Sequence, residues 1–240
     1  FILYFLSLIL YCTWQLTMSF LSFYNDHHGK ADEKLLSFID EGRWKEADFF
    51  ARTNPLEIKW KIKVPHFYEG VTSVTVLPIH VACKRQPPAF FLSTLHQINS
   101  KGFLKVDSIY KRTPLHIACM HTMQPTSVVK LIELCPKAAK VKDALGRLPI
   151  HYACKNPKLD SIVGILLKTY PAAALVKDQA GFLPIHVACR VGQSVDTIGL
   201  LISIAPESTK KKTKKGSTPY MCAKNMKAAH REQVMEMLSQ

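Results

Sequence analysis

Leu148-Pro149-Ile150-His151-Tyr152-Ala153-Cys154 is the stretch whose recurrence decides how this chain folds. Related heptapeptides stand at Leu77–Cys83 (LPIHVAC), Thr113–Cys119 (TPLHIAC) and Leu183–Cys189 (LPIHVAC), with a decayed copy at Thr218–Lys224 (TPYMCAK). Their prolines, at 78, 114, 149, 184 and 219, lie 36, 35, 35 and 35 residues apart. A unit this short cannot bury its apolar face alone and must stack on copies of itself. Within each unit the proline suits the first turn of a helix, where a missing N–H costs nothing. Ile150, Ala153 and Cys154 then fall at i, i+3 and i+4, one buried stripe.

A break follows, at Asn156-Pro157 or Gly192-Gln193, before a second helix with the larger apolar face. The pattern predicts such helices over Ser161–Tyr170 (Ile162, Ile165, Leu166, Leu167) and Val195–Ile204 (Ile198, Leu201, Ile202). Pro136, Pro171 and Pro206 close them. Extended Ala-Ala-x-x-Lys-Asp segments come next, and Asp143 and Asp178 stand three residues before Gly146 and Gly181, a tight-turn spacing. The heptapeptide resembles the T-P-L-H-x-A signature of ankyrin repeats over roughly Leu77–Gln240. That resemblance implies an all-α solenoid of stacked helix-turn-helix repeats with β-turn fingers. Residues 71–240 are expected to hold five signature repeats, the last a C-terminal cap ending in a helix near Arg231–Ser239.

Before them, residues 31–70 read as a degenerate N-terminal cap repeat, with helices near Ala31–Asp40 and Trp44–Thr53. Trp60 and Phe67 are expected to pack the connection, and Val71–Val76 to form the first extended finger. The next finger, Asp107–Arg112, is one residue longer and has no glycine, which accounts for the 36-residue interval. Residues 25–30 read as a polar linker. Phe1–Tyr24 has no charged residue and is long enough to span a bilayer. It is expected to be either a membrane anchor or a mis-assigned start, with Met18 as the true one.

A hydrophobic share of 48% supplies a continuous core and excludes a disordered chain. The net charge of +14 is unevenly placed: residues 1–75 hold eight Lys/Arg and nine Asp/Glu, against 24 and nine in 76–240. The excess on the repeats points to an acidic partner, anionic lipid or nucleic acid. Cys83, Cys119, Cys154 and Cys189 share one repeat position. Stacked helices ~8–10 Å apart hold such positions too far from one another for a disulfide, so they read as buried thiols of a reducing compartment, cytoplasmic or nuclear.

His80, His116, His151 and His186 each precede a cysteine by three residues, and no second ligand pair accompanies them, so zinc is disfavoured. The ankyrin resemblance implies instead that these histidines hydrogen-bond between units, helped by the motif's Thr hydroxyl. Leu77, Leu148 and Leu183 lack that hydroxyl, so their histidines need backbone or water partners. No G-x-S-x-G, P-loop, H-E-x-x-H or kinase signature is present, and no enzyme or cofactor is expected.

The resemblance also implies where a partner binds: the finger tips, and the two residues after each Ala-Cys pair. Carried onto this chain these include Lys84, Arg85, Met120, His121, Lys155 and Arg190 beside the helices. On the fingers they include Arg112, Leu145, Arg147, Phe182, Lys211, Lys212, Lys214 and Lys215. Lys210–Lys215 is the densest charge run, open to reading as an import signal, a contact or a solvated hairpin. Lys105, Lys111, Lys140, Lys142 and Lys177 add to it along the finger edge. The expected function is a monomeric, non-catalytic scaffold binding an acidic protein on the finger-lined concave face. The alternatives are a basic adaptor on anionic membrane or nucleic acid, and a membrane-tethered scaffold.

Overall fold

A computed structural model describes residues 33–121, 124–227 and 229–239. The linker and apolar segment expected over residues 1–30 lie outside the described residues. No helix among the described residues is long and apolar enough to cross a membrane.

The architecture is all-α. Residues 33–40 (α1) and Trp44–Thr53 (α2) form an antiparallel pair whose Leu35, Ile39, Ala47 and Ala51 are buried. Five helices start on the motif prolines: α3 (Pro78–Lys84), α5 (Pro114–Met120), α7 (Pro149–Ala153), α9 (Pro184–Val191) and α11 (Pro219–Lys224). Each is followed by a second helix: α4 (Ala89–Asn99), α6 (Pro125–Leu134), α8 (Asp160–Thr169), α10 (Val195–Ile204) and α12 (Arg231–Ser239). Successive first helices pack on one another, and so do successive second helices, giving two parallel layers. One hydrophobic core runs along the stack from Leu35 to Leu238. Ile162, Val163, Leu166 and Leu167 show the pattern in α8: all four are buried, at the helical spacing read from the sequence.

Two local expectations change. The segments after the second helices are not extended from their prolines. Pro136–Lys140, Pro171–Leu175 and Pro206–Lys210 are 3-10 helices, and the small Ala138, Ala139, Ala173 and Ala174 are buried there. The proline fixes φ for a tight turn, and bonds such as Ala138 N–H to Cys135 O (3.0 Å) close it. The first finger is likewise more than a strand. Ser73–Val76 (β2) pairs antiparallel with Ile62–Pro65 (β1), Ile62 opposite Val76 and Pro65 opposite Ser73. Phe67 is buried at the turn of this hairpin, whereas Trp60 is 48% exposed.

The fingers are built alike. The Asp143 Oδ1 accepts from the N–H groups of Leu145 (2.9 Å) and Arg147 (2.8 Å), and Asp178 does the same for Ala180 and Phe182. Asp107 fills this role in the longer finger, where Lys111 takes the left-handed conformation (φ +55°) in place of a glycine. Thr213 replaces the aspartate in the last finger and accepts from Ser217 N–H at 3.1 Å. One backbone bond then ties each finger to the next: Ser108 N–H to Thr75 O, Ala144 N–H to Tyr110 O, Gln179 N–H to Leu145 O and Lys214 N–H to Ala180 O. This approach is close enough that a Cβ at Gly181 (φ +83°) would lie 2.7 Å from the Lys214 nitrogen. Only glycine fits there.

Candidate functional site

The heptapeptide's own polar groups face inward. In four units the ring Nδ1 accepts from the backbone N–H three residues earlier: Leu77 (3.2 Å), Thr113 (3.1 Å), Leu148 (3.1 Å) and Leu183 (3.2 Å). The ring Nε2 lies 3.1 Å from a carbonyl of the following finger, that of Lys105, Arg147, Val176 or Lys211. An N–H donor on one nitrogen and a carbonyl acceptor on the other leave one consistent state, the neutral ring with its proton on Nε2. Burial stabilises that state, lowering His80 and His116 to about 4 and depressing His151 and His186 as well.

Thr113 adds its hydroxyl to Nδ1 at 2.8 Å, but the leucine-started units need only the backbone N–H. Both ring nitrogens are spent on structure in every copy, so none is free to bind a metal or move a proton. The adjacent cysteines are buried and free, and burial pushes the Cys119 and Cys189 thiols up to about 12. Thiols so protonated are poor nucleophiles.

The finger arginines have unequal fates. Arg112, expected on the contact surface, is buried instead. Its guanidinium lies 4.4 Å from the Tyr110 ring centre, 5.0 Å from that of Tyr68 and 5.3 Å from that of Tyr152. It donates to Tyr152 Oη (3.0 Å) and sits 3.6 Å from Asp143, whose carboxylate also accepts from the Tyr152 hydroxyl. A cation so enclosed by rings and a carboxylate belongs to the core. Arg147 repeats the link one unit on, 3.1 Å from Asp178, but remains one-third exposed. These are rungs of an arginine–aspartate ladder joining successive fingers.

Of the other expected contact residues, Lys84 and Arg85 are engaged near the N-terminal end. The Lys84 ammonium donates to Phe67 O, and Arg85 pairs with Asp40 at 2.8 Å. Met120, His121 and Leu145 are half-buried. Lys211, Lys212, Lys214 and Lys215 are exposed, the last two at the tip of the final finger. The tips between, at Ala144-Leu145 and Gln179-Ala180, are uncharged, so the basic edge is not continuous at the tips. It runs beneath them: Lys142, Lys177 and Lys212 each immediately precede a turn, with the Lys177 ammonium bonded to Lys212 O at 3.1 Å.

Four expected residues do meet. Arg147, Lys155, Phe182 and Arg190 line a depression of about 80 Å³ between a finger and the ends of α7 and α9. Arg190 lies 4.8 Å over the half-exposed Phe182 ring. A second depression of about 250 Å³ next to it is lined by Met120, Tyr152, Lys155, Asn156 and Pro157. Tyr152 and Lys155 line both, so the two form one groove along the junction of fingers and first helices. Sequence reasoning missed Tyr152, Val187 and Pro157 as lining residues. Tyr152 had a signal: it is the aromatic at a motif position held by Val or Ile in the other histidine-bearing copies.

Like units stacked in two helical layers, bridged by histidines and fingers and leaving an open groove, define an α-solenoid repeat protein. Residues 115–213 match the family model for ankyrin repeats, in three copies, which supports an ankyrin repeat protein. Such repeats generally mediate protein–protein interaction. No curated protein matches the chain.

Proposed function

We propose that this protein is a non-catalytic scaffold whose groove binds an acidic segment of a protein partner. The observation that carries the reading is a pair of uncommitted cations beside accessible apolar surface. Arg190 and Lys155 have no carboxylate within ion-pair distance among the described residues, yet they border Phe182, Met120 and Tyr152. An apolar centre inside a charged rim is the composition of binding hot spots. The first helix pair and α12 serve as caps at the two ends. Affinity capture with the wild-type chain, Arg190→Glu, and a chain with Lys210–Lys215 changed to glutamine tests the assignment. The partner should be lost on Arg190→Glu and retained at raised salt. Equal capture by wild type and Arg190→Glu would refute the reading.

A second reading rests on the lysines beneath the tips. Lys140, Lys142, Lys177, Lys210 and Lys212 form no ion pair among the described residues, although Lys140 lies 5.4 Å from the Tyr170 ring. They suit a polyanionic surface, lipid or nucleic acid. Binding of that kind should weaken markedly in the glutamine variant, which removes Lys210 and Lys212, and fall steeply with salt.

A further inference from the structure

We infer that the groove selects an extended peptide bearing a carboxylate three residues from an apolar side chain. The inference rests on the groove reading above and specifies its ligand. The smaller depression, at about 80 Å³, has room for a carboxylate but not for a large side chain, and Arg190 and Lys155 stand at its rim. The larger, at about 250 Å³, is walled by Met120, Tyr152 and Pro157 and accepts an aliphatic or aromatic side chain.

Their spacing follows from the repeat. One depression lies where α5 meets α7, the other where α7 meets α9, so they are one interhelical step apart, ~8–10 Å. A peptide extended as a polyproline-II helix advances ~3.1 Å per residue with about three residues per turn, so three residues cover that step and bring both side chains to the same face. A helical ligand rising ~1.5 Å per residue would need six or seven.

Charge complementarity fixes the sign. The carboxylates beneath the groove are already occupied: Asp178 holds Arg147 and its own turn, and Asp143 holds Tyr152 and its turn. What the groove turns outward is therefore net positive. The Phe182 ring beneath Arg190 fixes the guanidinium in place, so less freedom is lost when a carboxylate arrives.

Selection of a random dodecamer peptide display library on the full chain tests this. Peptides enriched on wild type should carry Asp or Glu three positions from Leu, Ile, Met or Phe. On Arg190→Glu the acid should give way to Lys or Arg while the apolar residue stays, since Arg190 is exposed and its replacement leaves the fold unchanged by circular dichroism. A synthetic copy of the best wild-type peptide should bind at least ~10-fold more weakly to Arg190→Glu, and equally more weakly when its acid is made the amide. Enriched peptides without that pair and spacing, or a pair indifferent to Arg190→Glu, would overturn the inference. If captured partners depend on Arg190 and Met120 while the peptides show no such spacing, the groove reading survives and this inference alone falls.

Discussion

Acidification from pH 7 to pH 5 should remove a large part of this protein's stability through the motif histidines alone. In the folded chain His80 and His116 are buried, accept a backbone N–H and titrate at about 4. In the unfolded chain each returns to ~6.5. The native state therefore refuses a proton that the unfolded state takes up, and the stability present above pH 6.5 is lost as pH falls toward 4. At pH 5 the difference amounts to about 2 kcal/mol per ring, or about 4 kcal/mol for the two. His151 and His186 shift in the same direction and add to the loss. Against a usual total of ~5–15 kcal/mol this is decisive.

Urea unfolding at pH 7, 6 and 5 reads the effect directly, as a midpoint that falls steadily. Ring-nitrogen NMR on the native protein supplies the independent check, because these imidazoles should stay neutral with the proton on Nε2 throughout the window. Midpoints that agree between pH 7 and 5, or motif rings that titrate near 6.5 in the native state, would refute the reasoning.

Two further perturbations separate close contacts from ordinary surface. Gly181→Ala and Gly216→Ala share a positive φ (+83° and +81°), but only at Gly181 would the new Cβ meet the neighbouring finger, 2.7 Å from Lys214 N. Gly216→Ala should cost about 1 kcal/mol for the left-handed backbone and Gly181→Ala about 1–2 kcal/mol more, because the bond from Lys214 N–H to Ala180 O must give. Equal urea midpoints for the two would count against finger-to-finger stitching. Arg112→Ala should destabilise by about 3 kcal/mol, since it leaves the buried Asp143 without its cation, while Lys212→Ala should be silent. Thermal melts of the two variants make the comparison.

Much of this was legible because the repeat speaks four or five times. Helix starts at the motif prolines, the α10 and α12 bounds and the Asp-x-x-Gly turns follow from local chemistry that one unit suffices to display. Arg112 was not legible as a core residue, because its cage is assembled from Tyr68, Tyr110 and Tyr152, on three different units. A signal did exist in the spacing: Arg112 precedes Asp143, and Arg147 precedes Asp178, by the same 31 residues. Only the stacking register turns that interval into contact. The groove was half legible, since the positions after the Ala-Cys pair are fixed by the motif. Which cations remain free depends on partners such as Asp40 for Arg85, and these come from distant segments.

The histidine bridges all point one way along the chain. Each ring donates forward, to a carbonyl 25 or 31 residues later, and none reaches back to the unit before it. The stack therefore has a grammar: each histidine-bearing helix requires the finger segment that follows it, while α11, with Met221 where the others have histidine, makes no such demand. Trimming units from the front leaves every remaining ring satisfied, whereas cutting between a histidine-bearing helix and the finger segment after it strands a buried donor. Whole repeats can therefore be gained or lost without breaking the sentence, provided each histidine keeps the finger segment that completes it.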